Sequence, residues 1–443
     1  MKQILKKGQP KLLHAWAFYD WANSVYSLVI SSAIFPIYYG ALTLVKDDDG
    51  NIIKDKVEFL GFYFNNDALI SYTTALAFLV VVLISPILSG IADNLGNKKR
   101  FMQFFCYLGG LSCIGLFWFD LEHLGLGLLF YFFGLIGFWG SLVFYNSYLP
   151  DIAYKHQQDK VSAKGFSLGY IGSVILLILC LGMILNFKVI GFESESLPTR
   201  LSFVLTGLWW IGFSQYSFYH LPQIENTQDK PLIKIVLGGY KELRKVYHKI
   251  IESQKFRYFL TAFFMYSIAV QTIMLIATYF GVKEIQWPKG DATSGLITSI
   301  LLIQLVAIAG AFFAARLTRL YANERILIWI NIIWVGVCIF AFFIKTPVQF
   351  YVAAFFVGLV MGAIQSLSRS TFSKYIPETE TDTTSFFSFY DVTEKIGIVI
   401  GMSIYALIAQ LTGNVRYAIL VLLVCFLFGI YKLILILRKK IVS

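Results

Sequence analysis

Apolar residues run along this chain in blocks of about twenty, separated by short polar interruptions. A helix of that length spans the ~30 Å hydrocarbon core of a bilayer. Twelve such runs are expected, at roughly 15–42, 68–91, 101–119, 125–148, 166–187, 201–221, 257–281, 294–315, 326–344, 348–370, 386–411 and 417–437. The longest polar interruption, 222–256, has six runs on each side. It predicts an N-terminal six-helix bundle (1–221), a cytoplasmic linker (222–256) and a C-terminal six-helix bundle (257–443). Within the linker, Leu232, Val236, Tyr240, Leu243, Tyr247 and Ile250 recur at helical spacing, with Lys241, Arg244, Lys245 and Lys249 between them. That pattern predicts a basic amphipathic helix at the membrane surface. The expected fold class is an all-α membrane protein.

Composition agrees with this pattern. Of 443 residues, 57% are hydrophobic and 14% charged, whereas a soluble domain carries about 25% charged residues to cover its surface. The net charge of +11 reflects where the basic residues fall. With the N-terminus inside, 25 Lys and Arg lie in inside segments and nine in outside loops. That asymmetry places both termini in the cytoplasm, in a plasma (bacterial inner) membrane. The longest outside loop, Val45 to Asp67, is acidic in part. Nucleic acid is excluded as a partner, because neither an aromatic–basic groove nor a reading helix is present. The five cysteines all fall in apolar runs, without CxxC or metal-ligand spacing, and read as buried free thiols. The basic start, Lys2 to Lys11, precedes a long run with no cleavage site, so the first span is expected to be retained.

The most specific motif is the turn after the second run, Gly90 to Arg100, which reads GIADNLGNKKR. Gly96 permits the reversal, and Lys98, Lys99 and Arg100 are expected to anchor it on the cytoplasmic leaflet. The corresponding turn of the second half, Arg316 to Arg325, reads RLTRLYANER and has Arg319 where an acid would repeat Asp93. The first turn resembles the loop signature of major facilitator transporters. Further segments narrow the resemblance: AFYDWANS at 17–24, YNSYLPD at 145–151, QSLSRS at 365–370 and FFSFY at 386–390. Together they are similar to the branch of autophagy-related vacuolar amino-acid effluxers and their uncharacterised bacterial relatives. The resemblance implies a facilitator fold and movement of small solutes, amino acids among them. It also implies that Asp93 meets the start of the eleventh span as a latch; the alternative is a cap on its own turn or a pair with Lys98. Arg319 departs from the family pattern, and the fifth span lacks the Pro-containing glycine motif of drug–proton antiporters.

Polar groups inside apolar runs are the other pointers. An ionisable side chain at the bilayer centre costs about 2.5–3.5 kcal/mol on insertion scales and normally faces a cavity or partner. Asp20, Asn23, Asn146, Arg369, Asp391, Glu394 and Lys395 are therefore the expected substrate or coupling path, and Gly90, Asp93, Gly96, Lys98, Lys99 and Arg100 the gating loop. Asp391 and Lys395 share a helix face at i,i+4. They serve as the charged centre of transport, holding a substrate carboxylate or exchanging a proton, or else as an intrahelical ion pair alone. The GxxxG pairs Gly358/Gly362 and Gly397/Gly401 predict close helix packing, and Pro36 and Pro86 predict kinks. No catalytic constellation and no phosphate-binding loop occurs in the sequence, so neither an enzyme, an ATP-driven pump nor a cofactor is expected. The expected protein is a monomeric secondary transporter for a small solute, coupled to a proton or other ion by alternating access. The alternative is a transport-inactive facilitator acting as a sensor or scaffold.

Overall fold

A computed structural model describes residues 6–43, 45–46, 52–54, 56–223, 232–288, 292–412 and 414–440. Twelve long helices fall where the apolar runs predict them. The first six are α1 (Pro10–Thr43), α2 (Asn66–Leu95), α3 (Lys98–Gly115), α4 (Leu124–Ile152), α5 (Lys155–Leu185) and α6 (Ser196–His220). After the linker helix α7 (Leu232–Glu252) come α8 (Gln254–Glu284), α9 (Ala292–Leu317) and α10 (Asn323–Phe343). The last three are α11 (Pro347–Tyr375), α12 (Thr383–Thr412) and α13 (Val415–Lys440). Eleven of the twelve are long and apolar enough to cross a membrane. The twelfth, α6, falls short of that and is rich in serine and threonine. Several of its hydroxyls fold back on the helix, as in Ser202 Oγ to Pro198 O and Thr206 Oγ1 to Ser202 O, so these cost little when buried.

Several helices outrun their apolar runs. The fifth run starts near 166, but α5 begins at Lys155, where Gln157 Oε1 accepts the Tyr154 N–H. Those extra polar turns carry Asp159 and Ser162, which matter below. In α1 the proline signal takes a different form from a sharp kink. Tyr26–Ile34 is π-helical immediately before Phe35 and Pro36, and Ser32 Oγ donates to the i−5 carbonyl of Ser27. A widened turn absorbs the carbonyl freed by the missing proline N–H. Part of the expected acidic loop forms two hairpins, β1 (Val45–Lys46) with β2 (Ile52–Lys54) and β3 (Lys56–Phe59) with β4 (Phe62–Asn65). Gly96, at φ 65°, sits in the left-handed region and ends α2.

Two buried apolar clusters form, one from residues 12–221 and one from residues 246–436 together with Tyr170. In the second cluster α9 lies directly on α11. A Cβ on Gly358 would stand 2.5 Å from the Ile303 carbonyl, and one on Gly362 would collide with the Ala307 carbonyl. All five cysteines are buried and free.

The linker helix α7 is present, but its buried line is rotated from the expected stripe. Gly239, Val246 and Ile250 point inward, while Tyr240 and Tyr247 are exposed. Gly239 lies backbone to backbone against Gly90 of α2, where a Cβ on either glycine would overlap the other segment. The side chains of Leu232 and Val236 lie outside the described set.

Candidate transport site

A cavity of about 170 Å³ lies between the two sets of six helices. Asp20, Asn23 and Asn146 from the first set line it, with Arg369 and Glu394 from the second. Aromatic walls surround them, Trp139, Phe263, Tyr266 and Tyr390 among others.

The floor is a buried ion pair between the two sets. Arg369 Nη2 donates to Asp20 Oδ2 at 3.1 Å and to the Ser162 carbonyl at 3.0 Å. Its Nε reaches Ser162 Oγ at 3.0 Å, and Nη1 reaches Asn146 Oδ1 at 3.2 Å. Both charged side chains are about 95% buried or more. Tyr145 Oη adds a 2.8 Å bond to the same Asp20 oxygen, and the Phe166 ring covers the guanidinium at 4.0 Å. The planar fork of an arginine can hold this many acceptors at once. Gly165 is what lets the groups meet, because a Cβ there would overlap Asp20 Oδ2. Asn23 is fully buried, and its Nδ2 has no partner among the described residues.

The second charged group stands on α12. Lys395 Nζ is fully buried and donates to Asp391 Oδ1 at 2.5 Å and to Glu394 Oε2 at 3.0 Å. It also lies 3.8 Å from the centroid of the Trp139 ring on α4, so the ammonium bridges the two sets of helices. Glu394 Oε1 accepts from Gln271 Nε2 at 2.7 Å and is the charged member that reaches the cavity. Lys395 itself does not line the cavity. Asp391 Oδ2 is also buried and has no donor among the described residues, so the cluster is only partly satisfied, which low local dielectric makes costly.

Further ties join the two sets at the end of the bundle that carries both termini. Asp93 accepts the Thr384 N–H at 3.2 Å and the Ser385 N–H at 2.7 Å, so its carboxylate caps the start of α12. Lys98 pairs with Asp151 and donates to Thr383 Oγ1 at 3.1 Å. On the opposite flank Lys374 pairs with Asp159, which also accepts from Asn323 Nδ2 at 2.8 Å. This second tie reverses the first. Here the acid stands on α5 and the donors on the second half, in keeping with the arginine at 319. The linker adds Lys245 to Asp382 at 2.8 Å and Lys249 to Glu380 at 2.5 Å. The hydrogen bond to Asp382 raises the Lys245 pKa above its ordinary value.

A carboxylate at unpaired helix N–H groups contributes up to about 2 kcal/mol when partly buried. Asp93→Asn should therefore favour opening of this end by roughly five- to thirtyfold. The expected result is slower transport with solute binding retained. Transport at the wild-type rate would refute the latch.

Comparison with known proteins is consistent with this geometry. The family described as "Vacuole effluxer Atg22 like" matches residues 8–441. The chain belongs to the Atg22-like family. It is 32% identical to the uncharacterized MFS-type transporter YxiO of Bacillus subtilis, over 96% of this chain and 95% of the relative. It is 25% identical to Autophagy-related protein 22 of Kluyveromyces lactis, over 95% and 92% of the two chains. Among solved structures it is similar to the major facilitator transporter FucP in the outward conformation. The TM-score is 0.68 at 14% identity, covering 96% of this chain and 98% of that one. The human organic anion transporter MFSD10 superposes with a TM-score of 0.67 at 11% identity, covering 96% and 100%. These two likenesses show the major facilitator fold.

Within this Atg22-like chain the candidate residues separate into three groups. Asp20, Asn146 and Arg369 come together at the cavity floor, while Asp391, Glu394 and Lys395 form a separate cluster beside it. The residues expected as a gating loop point to different partners. Lys99 does not anchor a leaflet: it is 95% buried and donates to the Leu221 carbonyl at 3.0 Å. Lys98 also turns into the protein, and Arg100 alone of the three is exposed. Gly90 serves the linker contact. Sequence reasoning overlooked Tyr145, Ser162, Trp139, Asp159 and Lys374 as site residues. Tyr145 stands inside a quoted motif, but nothing in the sequence aims the others at a partner hundreds of residues away.

Proposed function

We propose that the protein moves a small polar solute through this cavity by alternating access, with amino acids one class that suits its polar lining. The observation that carries the reading is a cavity enclosed by both sets of helices, with charged ties between them at its floor and at the termini end. In this reading the two sets (1–221 and 257–443) rock as bodies about the cavity, joined by the linker. Opening the termini end breaks the Asp93, Asp159 and Arg369 ties and exposes the cavity on that side. The protein works as a monomer in the plasma membrane with both termini cytoplasmic, and a coupled proton or ion supplies the gradient.

The test is flux. Solutes that raise the thermal stability of the purified protein are loaded into proteoliposomes and their movement is measured, with sidedness read from Tyr240→Cys. Position 240 is exposed and the five native cysteines are buried, so the label reports one site. Saturable flux of a stabilising solute, with labelling from the cytoplasmic side, is expected. Tight binding without flux would favour a sensor, and labelling from outside alone would invert the topology.

A further inference from the structure

The cavity has a charge balance that its fold does not require. Three carboxylates, Asp20, Asp391 and Glu394, stand in or directly behind it, against two cations, Arg369 and Lys395. Both cations are committed and nearly or wholly inaccessible. Arg369 directs four of its five N–H groups to Ser162, Asn146 and Asp20, and Lys395 two of its three to Asp391 and Glu394. Among the described residues, the one cation that lines the cavity, Arg369, is already paired with Asp20. The surplus is negative by one charge, and Asp391 Oδ2 is a buried acceptor with no donor among the described residues. Of the three acids, Glu394 has the most accessible side chain, 19% exposed, and lines the cavity. Aromatic rings line the same cavity. Phe263 and Tyr390 stack at 4.1 Å, and Tyr266 and Trp139 complete the wall. A carboxylate among aromatic rings is the arrangement that recognises an ammonium group, through a charge-assisted hydrogen bond and ring quadrupoles.

We infer that the solute carries a protonated amine, which docks on Glu394 and neutralises the cavity, and that solutes charged only by a carboxylate are rejected. This rests on the transport reading above and names the chemistry of its substrate. It replaces the expectation that Lys395 receives a substrate carboxylate, because that ammonium is fully buried, paired with two acids and absent from the cavity lining.

The test is binding to the purified full-length chain, using phenethylamine, phenethyl alcohol and phenylacetate as probes of one shape and three charges. The amine is expected to bind about tenfold tighter than the alcohol, with the carboxylate weakest. Glu394→Gln should abolish that preference, with a cooperative thermal-unfolding transition showing that the variant is folded; Glu394→Asp should restore part of the preference. Amine binding that is absent, no tighter than the alcohol's, or unchanged in Glu394→Gln would overturn the inference. Flux separates it from the reading beneath it. Transport of uncharged solutes without amine preference overturns the amine site and leaves transport standing. Amine binding without flux of any solute leaves the site standing and removes transport.

Discussion

Arg369→Ala is expected to destabilise the protein by about 3–5 kcal/mol, the cost of leaving a buried charge without its partner. Asp20 would keep only the Tyr145 hydroxyl, and Ser162 and Asn146 would lose their donor. Thermal unfolding in detergent reads the effect directly. Adding Asp20→Asn should recover much of the stability, because the orphaned carboxylate is then neutral. Arg369→Lys keeps the charge but cannot span Asn146, Ser162 and Asp20 together, so it should fold and still populate the state open at the termini end. A stable Arg369→Ala protein would remove the ion pair as the floor of the cavity.

Lys395→Ala should cost a similar amount, since Asp391 and Glu394 then share a buried site with no cation. Flux is expected to fall at least tenfold. The double variant Asp391→Asn/Lys395→Ala separates two roles. If the pair only ties one face of α12, neutralising both members restores stability and flux together. If the ammonium works in transport, the double variant folds and stays inactive, because the contact with Trp139 across the two helix sets is also gone. Full flux from a well-folded double variant would reject the transport role.

Much of the fold was legible because lipid leaves a chain few choices. Backbone groups in a bilayer must be bonded internally, so apolar runs of this length become helices. Even α6, with its serines and threonines, follows that rule. The Asp391–Lys395 pair was legible because i,i+4 spacing needs no knowledge of the tertiary structure. Asp20 and Arg369 stood out singly as buried charges, yet their pairing across 349 positions is a property of the packed halves. Lys99 shows the opposite error. A basic residue beside a helix end says nothing about direction, and this one turns inward to a carbonyl. In the linker, Tyr240 and Tyr247 counted as apolar in the periodicity but face outward, which displaced the predicted stripe. The hairpins of 45–65 lay in a segment read only for its charge.

The contact of Gly90 with Gly239 joins α2 and α7 with no side chain between them, so in the proposed rocking motion the linker would move as a lever with the first helix set. Its grips on the second set include the ammonium groups of Lys245 and Lys249, held by Asp382 and Glu380, beside the apolar packing of Val246 and Ile250. If the termini end opens as proposed, those acids would swing away with α12 and two amines would be released beside the bilayer surface. An anionic leaflet attracts each such charge by about 1 kcal/mol. Lipid headgroups and the two acids thus compete for the same lysines, and the composition of the leaflet becomes a bias on how readily the carrier opens.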